Sequence, residues 1–169
     1  MESTLLPDLI SFAVYDGIPP KEEGMDPKVF WFWPYDTPID VQLNQVGLYL
    51  TFTGFCRDFR SSKDCEYMQT DFSFTCFDNI GADVCLAATF KTTDPSHHRI
   101  LLRSMHVFKS TCLLFCSSPV RAKNGDVENI LNLTQYLEDF LGIFRYVPIF
   151  NSFSSNVNLW IKCEEAIAN

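Results

Sequence analysis

Two apolar segments near the N-terminus place the strongest constraint on the fold, because both of their faces are hydrophobic. LISFAVY (9–15) is rich in β-forming residues and ends at the turn formers Asp16 and Gly17. VFWFWPYD (29–36) contains two tryptophans, two phenylalanines and a tyrosine. The segment between them, 18–27, has three prolines, a glycine and mixed charges, which indicates an exposed loop. Strands that are apolar on both faces are expected in a sheet that helices cover on both sides.

The aromatic segment 29–36 admits three interpretations: a membrane-inserted loop, an aromatic ligand cage, or a strand. A membrane-inserted loop normally carries flanking basic residues, and only Lys28 is near. An aromatic cage requires residues that converge from several elements. A strand needs no further assumption, and Pro34 would end it and turn the chain into the next helix. The alternation of side chains in a strand predicts one face with Val29, Trp31, Trp33 and Tyr35 and the other with Phe30 and Phe32.

Residues 37–60 have the spacing of an amphipathic helix. Thr37 is a suitable N-cap, and Pro38 suits the first turn. Gly47 and Gly54 also lie on this helix, where glycine costs roughly 1 kcal/mol relative to alanine. They either permit the close approach of another backbone or are merely tolerated in the packing. Apolar residues recur at helical spacing, namely Val41, Leu48, Phe52, Phe55 and Phe59, with Leu43, Val46 and Leu50 beside them.

Three short strands are predicted after that helix. CEYMQTD (65–71), FSFTCFD (72–78) and DVCLAATFK (83–91) have the residue types of a meander. A loop follows at 92–98, in which Ser96 is a possible helix cap. A buried helix is predicted at 100–116.

The C-terminal part contains a linker at 117–125 and a third helix that Asp126 caps and Pro148 ends. Residues 150–169 are expected to form a peripheral helix or strand. The element order β-β-α-β-β-β-α-α predicts one α+β domain over residues 1–169. We expect a five-stranded, mostly antiparallel sheet with one helix on one face and two on the other.

Charge and composition exclude several classes of function. The formal charge of −8 argues against nucleic-acid binding, which needs clustered Lys and Arg. No apolar run is long enough to span a membrane, and the N-terminus does not resemble a signal peptide. The seven cysteines are odd in number and form no CxxC pair, which is typical of reduced intracellular thiols.

No catalytic or cofactor-binding motif is present in the sequence. P-loop, GxGxxG, HExxH and GxSxG patterns are all missing. His98 and His106 together with Cys112 and Cys116 are an imaginable metal site, but they lack the tight paired spacing of structural zinc ligands. Cys65 follows Lys63 without a nearby histidine in the sequence, so an activated thiol is not indicated. We therefore expect a binding domain with no cofactor and no metal.

The N-terminal motifs resemble the first longin domain of the Ccz/inturned/Hermansky-Pudlak family, which includes the BLOC-three subunits. In this pattern a strand ends in YDG, a loop contains EG, an aromatic strand ends at a proline, and a helix contains a VGL segment. The carrying residues are Tyr15-Asp16-Gly17, Glu22-Glu23-Gly24, Trp33-Pro34, Val46-Gly47-Leu48, Phe59 and Cys65-Glu66. HVFKSTCLLF and YLEDFLGIF match the later helices in layout only. Full members carry two further longin domains.

The resemblance implies a longin (profilin-like) fold and a role in vesicle trafficking. Such proteins pair with a second tri-longin subunit, Mon-like or Hermansky-Pudlak-like, and the heterodimer is a guanine nucleotide exchange factor for a Rab GTPase. It implies a cytoplasmic protein that reaches late endosomes, lysosomes or lysosome-related organelles through its partners. The implied interface lies on the first helix and the following strand, at Leu48, Phe52, Phe55, Cys56, Phe59, Tyr67 and Met68.

Two other classes of function stay open from the sequence. One is a longin-like adaptor or SNARE-type regulator that binds without exchanging nucleotide. The other is a small enzyme with a buried Cys/His site. The sequence leaves open which face of the first helix points outward.

Overall fold

The residues that the structure describes form a five-stranded antiparallel sheet with two long helices. The computed structural model describes residues 7–22, 24–59, 65–81, 83–92, 94–115, 135–136 and 138–139. Its elements are β1 (Leu9–Asp16), β2 (Val29–Trp33), α1 (Ile39–Phe59), β3 (Tyr67–Gln69), β4 (Phe74–Asn79), β5 (Val84–Phe90) and α2 (Pro95–Phe115). The strand order is β2-β1-β5-β4-β3, and each neighbouring pair is antiparallel. The predicted α+β class and the antiparallel sheet are confirmed.

The sheet separates two hydrophobic cores, as the two-faced strands predict. The α2-side core joins residues of the sheet to one face of α2, and it includes Phe12, Trp31, Phe74, Leu101 and Phe108. The α1-side core joins the opposite face of the sheet to α1, and it includes Tyr15, Phe32, Val46, Tyr49 and Phe77. The aromatic strand β2 contributes to both cores, so its hydrophobicity is explained by burial.

The predicted alternation of side chains along β2 is wrong at its first two residues. Val14 pairs with Trp31 whereas Tyr15 pairs with Val29, so β2 has one extra residue, Phe30, at a β-bulge. Val29 therefore packs on the α1-side core with Phe32, and Phe30 packs on the α2-side core with Trp31. A bulge shifts the alternation because its extra residue has no cross-strand partner.

The turn after β2 begins earlier than the sequence suggests. β2 ends at Trp33, which a cis peptide bond joins to Pro34, so Tyr35 lies outside the strand. The carbonyl of Pro38 accepts the first helical hydrogen bond, from the Gln42 amide at 3.1 Å. Pro38 is therefore the N-cap of α1 instead of Thr37. The Gln42 side chain donates to the Thr37 carbonyl at 2.7 Å, which stabilises this first turn.

Helix α2 begins five residues before the predicted start at residue 100, within the segment predicted as a loop. Asp94 is its N-cap, because the Ser96 amide donates to Asp94 Oδ1 at 2.9 Å and the His97 amide donates to the Asp94 carbonyl at 3.1 Å. Pro95 occupies the first helical position, which proline favours. Ser96, the predicted cap, is instead the second helical residue.

We expect the Asp94 cap to stabilise α2 at neutral pH and to lose this effect in acid. The hydrogen bond from the Ser96 amide lowers the pKa of the Asp94 carboxyl below its ordinary value of 3.8. A lowered folded-state pKa stabilises the fold above the ordinary pKa, and this contribution is lost as pH falls through the lowered value. In thermal melts, the wild-type protein should have a higher melting temperature than Asp94→Asn at neutral pH. The difference in melting temperature should shrink below about pH 4. A difference in melting temperature that stays the same down to acidic pH would contradict a stabilising role for the Asp94 carboxylate.

The region of the predicted third helix is described only at four residues. Gln135, Tyr136, Glu138 and Asp139 are helical. The Tyr136 ring packs on Phe108 with 5.6 Å between centroids, and Tyr35 Oη donates to Glu138 Oε1 at 2.9 Å. These contacts place them against the α2 side of the sheet. The predictions for residues 117–134 and 150–169 lie outside the described residues.

Candidate functional site

Helix α1 buries only one narrow face against the sheet. Val46 and Tyr49 are buried, and Leu50 and Phe52 pack at the margin of the same core. The Tyr49 ring contacts Phe77 at a centroid distance of 5.4 Å. This anchoring face fixes the rotation of the helix, and it leaves much of the apolar sequence of α1 outside the core.

A chain of polar side chains ties the buried face of α1 to the sheet. Tyr49 and Thr89 share a hydrogen bond of 2.7 Å, and Thr89 and Thr75 share one of 3.0 Å. Gln45 Nε2 donates to Tyr49 Oη and also to Ser11 Oγ, the latter at 2.8 Å. Buried polar groups that are fully hydrogen-bonded favour one arrangement of the elements they join.

The predicted interface residues Leu48, Phe55 and Phe59 lie together on the solvent side of α1. Their side chains are 56%, 60% and 76% exposed. The Phe55 and Phe59 rings pack on each other with 4.5 Å between centroids. Val41 is exposed on the same helical stripe, two turns before Leu48. We call these four residues the α1 stripe.

Gly47 and Gly54 lie on α1 outside its anchoring face. A Cβ built on either glycine meets no atom within 4 Å. Neither glycine is therefore required by a close approach within the described part of the chain. Mere tolerance of these two glycines and the close approach of a backbone from outside the described residues both agree with this open surface.

The other predicted interface residues do not join the α1 stripe. Phe52 and Met68 pack at the margin of the α1-side core, and Cys56 is half-buried. Tyr67 lies on the opposite face of the sheet, where its ring stacks on Phe74 with 5.2 Å between centroids. The structure thus gathers three of the seven predicted residues, Leu48, Phe55 and Phe59, into one exposed apolar surface.

A second concave surface lies along α2 at the end of the sheet where β4 ends and β3 begins, and Tyr67 is its lining residue from β3. This α2–β3 groove has a volume of about 900 Å³ and reaches the C-terminal part of α1. Arg57, Arg99, Arg103 and Lys109 line it, as do two acidic residues, Glu66 and Asp78. Lys109 pairs with Asp78 at 2.7 Å, and the three arginines form no ion pair within the described residues. The groove is therefore locally basic on a chain whose formal charge is −8.

Three packed rings form an aromatic wall at this groove, with Tyr67 and His98 in its lining and the buried Phe74 behind them. His98 lies over Phe74 with centroids 3.9 Å apart and planes only 9° from parallel, and Tyr67 stacks on Phe74 with its centroid 6.3 Å from that of His98. Phe74 is fully buried, whereas Tyr67 is exposed. His98 Nε2 is buried and has no hydrogen-bond partner in the structure as described.

The basic residues of the groove were missed in the sequence, although a signal for them exists. Arg99, Arg103 and His106 follow at spacings of four and three, which places them on one helical face. The prediction of a loop at 92–98 and a helix start at residue 100 separated Arg99 from the other two. Recognition of the Asp94-Pro95 cap would have extended the helix and revealed the basic face.

Two of the described thiols, Cys65 and Cys76, are not activated. Cys65 Sγ donates to the Tyr67 carbonyl at 3.3 Å. Burial raises the pKa of the Cys65 thiol to about 11, and the neighbouring Cys56 thiol adds to the rise. Burial likewise raises the pKa of Cys76 to about 12. These thiols stay protonated at neutral pH, which disfavours a nucleophilic role because the thiolate is the reactive form.

The described residues of the metal site considered in the sequence, His98, His106 and Cys112, are not arranged to bind a metal ion together. His106 is exposed, His98 is half-buried and Cys112 is fully buried, while Cys116 lies outside the described residues. Among the residues with described positions, no group of three or more His, Cys, Asp or Glu side chains is arranged to hold a metal ion.

Neither helix in the described part of the chain combines the length and apolar character that a membrane span requires. No protein-family model and no curated protein sequence matches this chain.

Proposed function

We propose that this chain is a longin-like domain of one subunit of a heterodimeric Rab guanine nucleotide exchange complex. The proposed setting is late endosomal, lysosomal or lysosome-related organelle trafficking, with membrane association through partners. The sequence motifs support this assignment through the family they resemble. The sheet, with α1 on one face and α2 on the other, is compatible with a longin fold. The proposed longin arrangement also has a third helix beside α2, to which the described residues Gln135, Tyr136, Glu138 and Asp139 would belong.

The exposed α1 stripe is the observation that carries the proposal. Full burial of a Leu or Phe side chain is worth roughly 1.5–3 kcal/mol, so leaving Leu48, Phe55 and Phe59 in water forgoes a large gain. Contiguous exposed apolar residues mark interaction surfaces on folded proteins. A second longin-type subunit that covers this stripe would provide the missing burial.

The glycines of α1 suit a closely packed partner. Gly47 and Gly54 flank the stripe and have open space around them. Without a Cβ they allow a second backbone to approach the helix more closely than alanine would. Leu48 and Phe55, each next to one of these glycines, would then lie at the centre of the interface, where most binding energy is concentrated.

Nucleotide exchange needs no covalent chemistry from this domain. A complex accelerates release when it binds the nucleotide-free Rab more tightly than the nucleotide-bound Rab. The proposed activity belongs to the assembled heterodimer, and no residue of this chain is assigned a catalytic role.

Charge substitutions on the α1 stripe test the interface. We expect Leu48→Asp and Phe55→Asp each to weaken binding of a Mon-like or Hermansky-Pudlak-like subunit by about 30-fold or more, because a buried carboxylate would have no partner. Binding is measured by co-purification and sedimentation, and exchange by release of fluorescent GDP from a Rab. Phe72→Asp is the matched control, since Phe72 is 81% exposed in the β3–β4 turn, away from α1.

The outcomes separate the alternatives. Pairing of both stripe variants at wild-type affinity would contradict the interface. A stable heterodimer that leaves nucleotide release unchanged for every Rab tested would favour the adaptor or SNARE-type regulator. Failure to bind any longin-type subunit would contradict the proposed family role.

A further inference from the structure

We propose that the α2–β3 groove binds an extended acidic peptide segment, which adds to the sheet along the outer edge of β3, the last strand among the described residues, and pairs its carboxylates with Arg99 and Arg103. This site is separate from the α1 stripe and goes beyond the proposed exchange function. Its occupant is a segment of a partner protein with alternating acidic residues.

Charge complementarity identifies the chemistry of the occupant. Arg99 and Arg103 are exposed one turn apart on α2, and His106 continues the row toward Lys109. Neither arginine has an acidic partner among the described residues. Unpaired arginines that line a concave surface favour carboxylate ligands, which the planar guanidinium binds through two parallel hydrogen bonds. Since the chain as a whole is acidic, this contrast is local to the groove.

The edge of the sheet supplies the backbone part of the site. β3 is the last strand in the sheet order, with β4 on its inner side. The Glu66 carbonyl accepts from the Phe77 amide at 2.8 Å, and the Thr70 amide donates to the Ser73 carbonyl at 2.9 Å. Residues 66 and 70 thus point their backbone groups toward β4. By alternation, the amides of Tyr67 and Gln69 point to the outer edge, where an added strand would bond to them.

The side chains of an added strand would meet the groove on one face. Alternate residues of that strand would point to the α2 side of the sheet, where Tyr67 stacks in the aromatic wall with Phe74 and His98. Carboxylates at those positions would approach α2, which carries Arg99 and Arg103 beside this wall. The peptide residues between these carboxylates would be small or β-branched, and their side chains would face the α1 side of the sheet, where Met68 lies.

The shape and charge of the groove favour a peptide over an anionic membrane. Glu66 and Asp78 line the same groove as the arginines. A bilayer presents a broad negative surface that these carboxylates would repel. A peptide places its charges at discrete positions, so it satisfies the arginines and avoids the acidic residues.

The test uses the full chain and defined peptides. The probes are a panel of peptides about ten residues long, a usual upper length for strands, in which Glu or Asp alternates with Val, Thr or Leu. Matched peptides carry Gln in place of Glu. Affinity is measured by fluorescence anisotropy at low and high salt. We expect acidic peptides to bind more tightly than their Gln counterparts, with the difference shrinking as salt rises.

Variants of the chain locate the site. Arg99→Glu combined with Arg103→Glu is expected to weaken binding by about tenfold or more, and lysine versions of the peptides should then bind this variant better than wild type. The control is Lys21→Glu combined with Lys91→Glu, which makes the same charge change outside the groove and is expected to leave affinity unchanged. Both double variants replace exposed side chains.

The backbone part is tested without altering the protein. N-methylation of alternate peptide amides removes the donors and adds bulk along one edge of the peptide, so one of the two methylation registers should abolish binding. The Tyr67 and Gln69 amides should exchange hydrogen more slowly when the unmethylated peptide is bound. Equal binding of the acidic and Gln peptides, or an equal loss in both double variants, would overturn the proposal. So would binding of vesicles with anionic phospholipid through Arg99 and Arg103 in the absence of any peptide binding.

Discussion

Tyr49→Ala is expected to lower the free energy of unfolding by about 3–5 kcal/mol, whereas Phe55→Ala on the same helix is expected to change it by no more than about 0.5 kcal/mol. Tyr49 is 2% exposed and contacts Tyr15 and Phe77, with centroid distances of 6.1 and 5.4 Å. Its removal leaves a large cavity between α1 and the sheet. Phe55→Ala removes a side chain that is 60% exposed and whose ring packs on the exposed ring of Phe59. Urea denaturation of the two variants measures the difference.

Tyr49→Phe separates the hydroxyl group from the ring. It removes the hydrogen bonds to Thr89 and Gln45 while the ring contacts stay in place. We expect a loss of about 1–2 kcal/mol, the usual cost of unpaired buried polar groups. If Phe55→Ala proved as destabilising as Tyr49→Ala, the α1 stripe would belong to the core and would be unavailable to a partner.

Gly17→Ala is expected to destabilise the fold by about 1–3 kcal/mol, the range typical of overpacking. A Cβ at position 17 would lie 2.5 Å from Cys85 Sγ and 3.0 Å from the Asp83 carbonyl oxygen. The Gly17 amide also donates to that carbonyl at 2.6 Å, so the two backbones cannot easily separate. The same substitution at Gly47 or Gly54 meets open space and should stabilise α1 by up to about 1 kcal/mol.

These three alanine variants form a matched set for thermal or urea denaturation. Combining Gly17→Ala with Cys85→Ala should recover part of the lost stability, since it removes the sulfur atom but leaves the Asp83 carbonyl. Equal effects at all three glycines would show that Gly17 is not closely packed. If α1 is the proposed interface, Gly47→Ala and Gly54→Ala should weaken partner binding even as they raise the stability of the chain.

The tight packing of Gly17 gives the YDG motif (Tyr15-Asp16-Gly17) a structural role. Asp16 Oδ1 accepts a hydrogen bond from the Ile18 amide at 3.1 Å, which closes a local turn. The Asp16 amide bonds to the Lys28 carbonyl at 2.9 Å, and Gly17 fits against β5. The motif therefore joins the end of β1 to the start of β2 on one side and to β5 on the other. This is a structural role, and it says nothing of the partner.

Local chemistry was enough to predict the elements, because each depends on residues that are close in the chain. LISFAVY, VFWFW and the meander segments appear as strands since their patterns need only the pleat of a sheet and turn formers at the ends. The errors lie at boundaries. The Asp94-Pro95 cap extends α2 backward, and the Phe30 bulge reverses the faces of Val29 and Phe30. A bulge depends on the partner strand, so it cannot be read from β2 alone.

The α+β class and the two-faced sheet follow from the local sequence, because strands that are apolar on both sides require cover on both sides. Which apolar residues of α1 are core and which face solvent depends on how the helix packs on the sheet. The helix has hydrophobic residues around much of its circumference, so periodicity alone allows more than one rotation. The buried hydrogen bonds from Tyr49 to Thr89 and from Gln45 to Ser11 select one of them. That choice turns Leu48, Phe55 and Phe59 outward, where a partner can reach them.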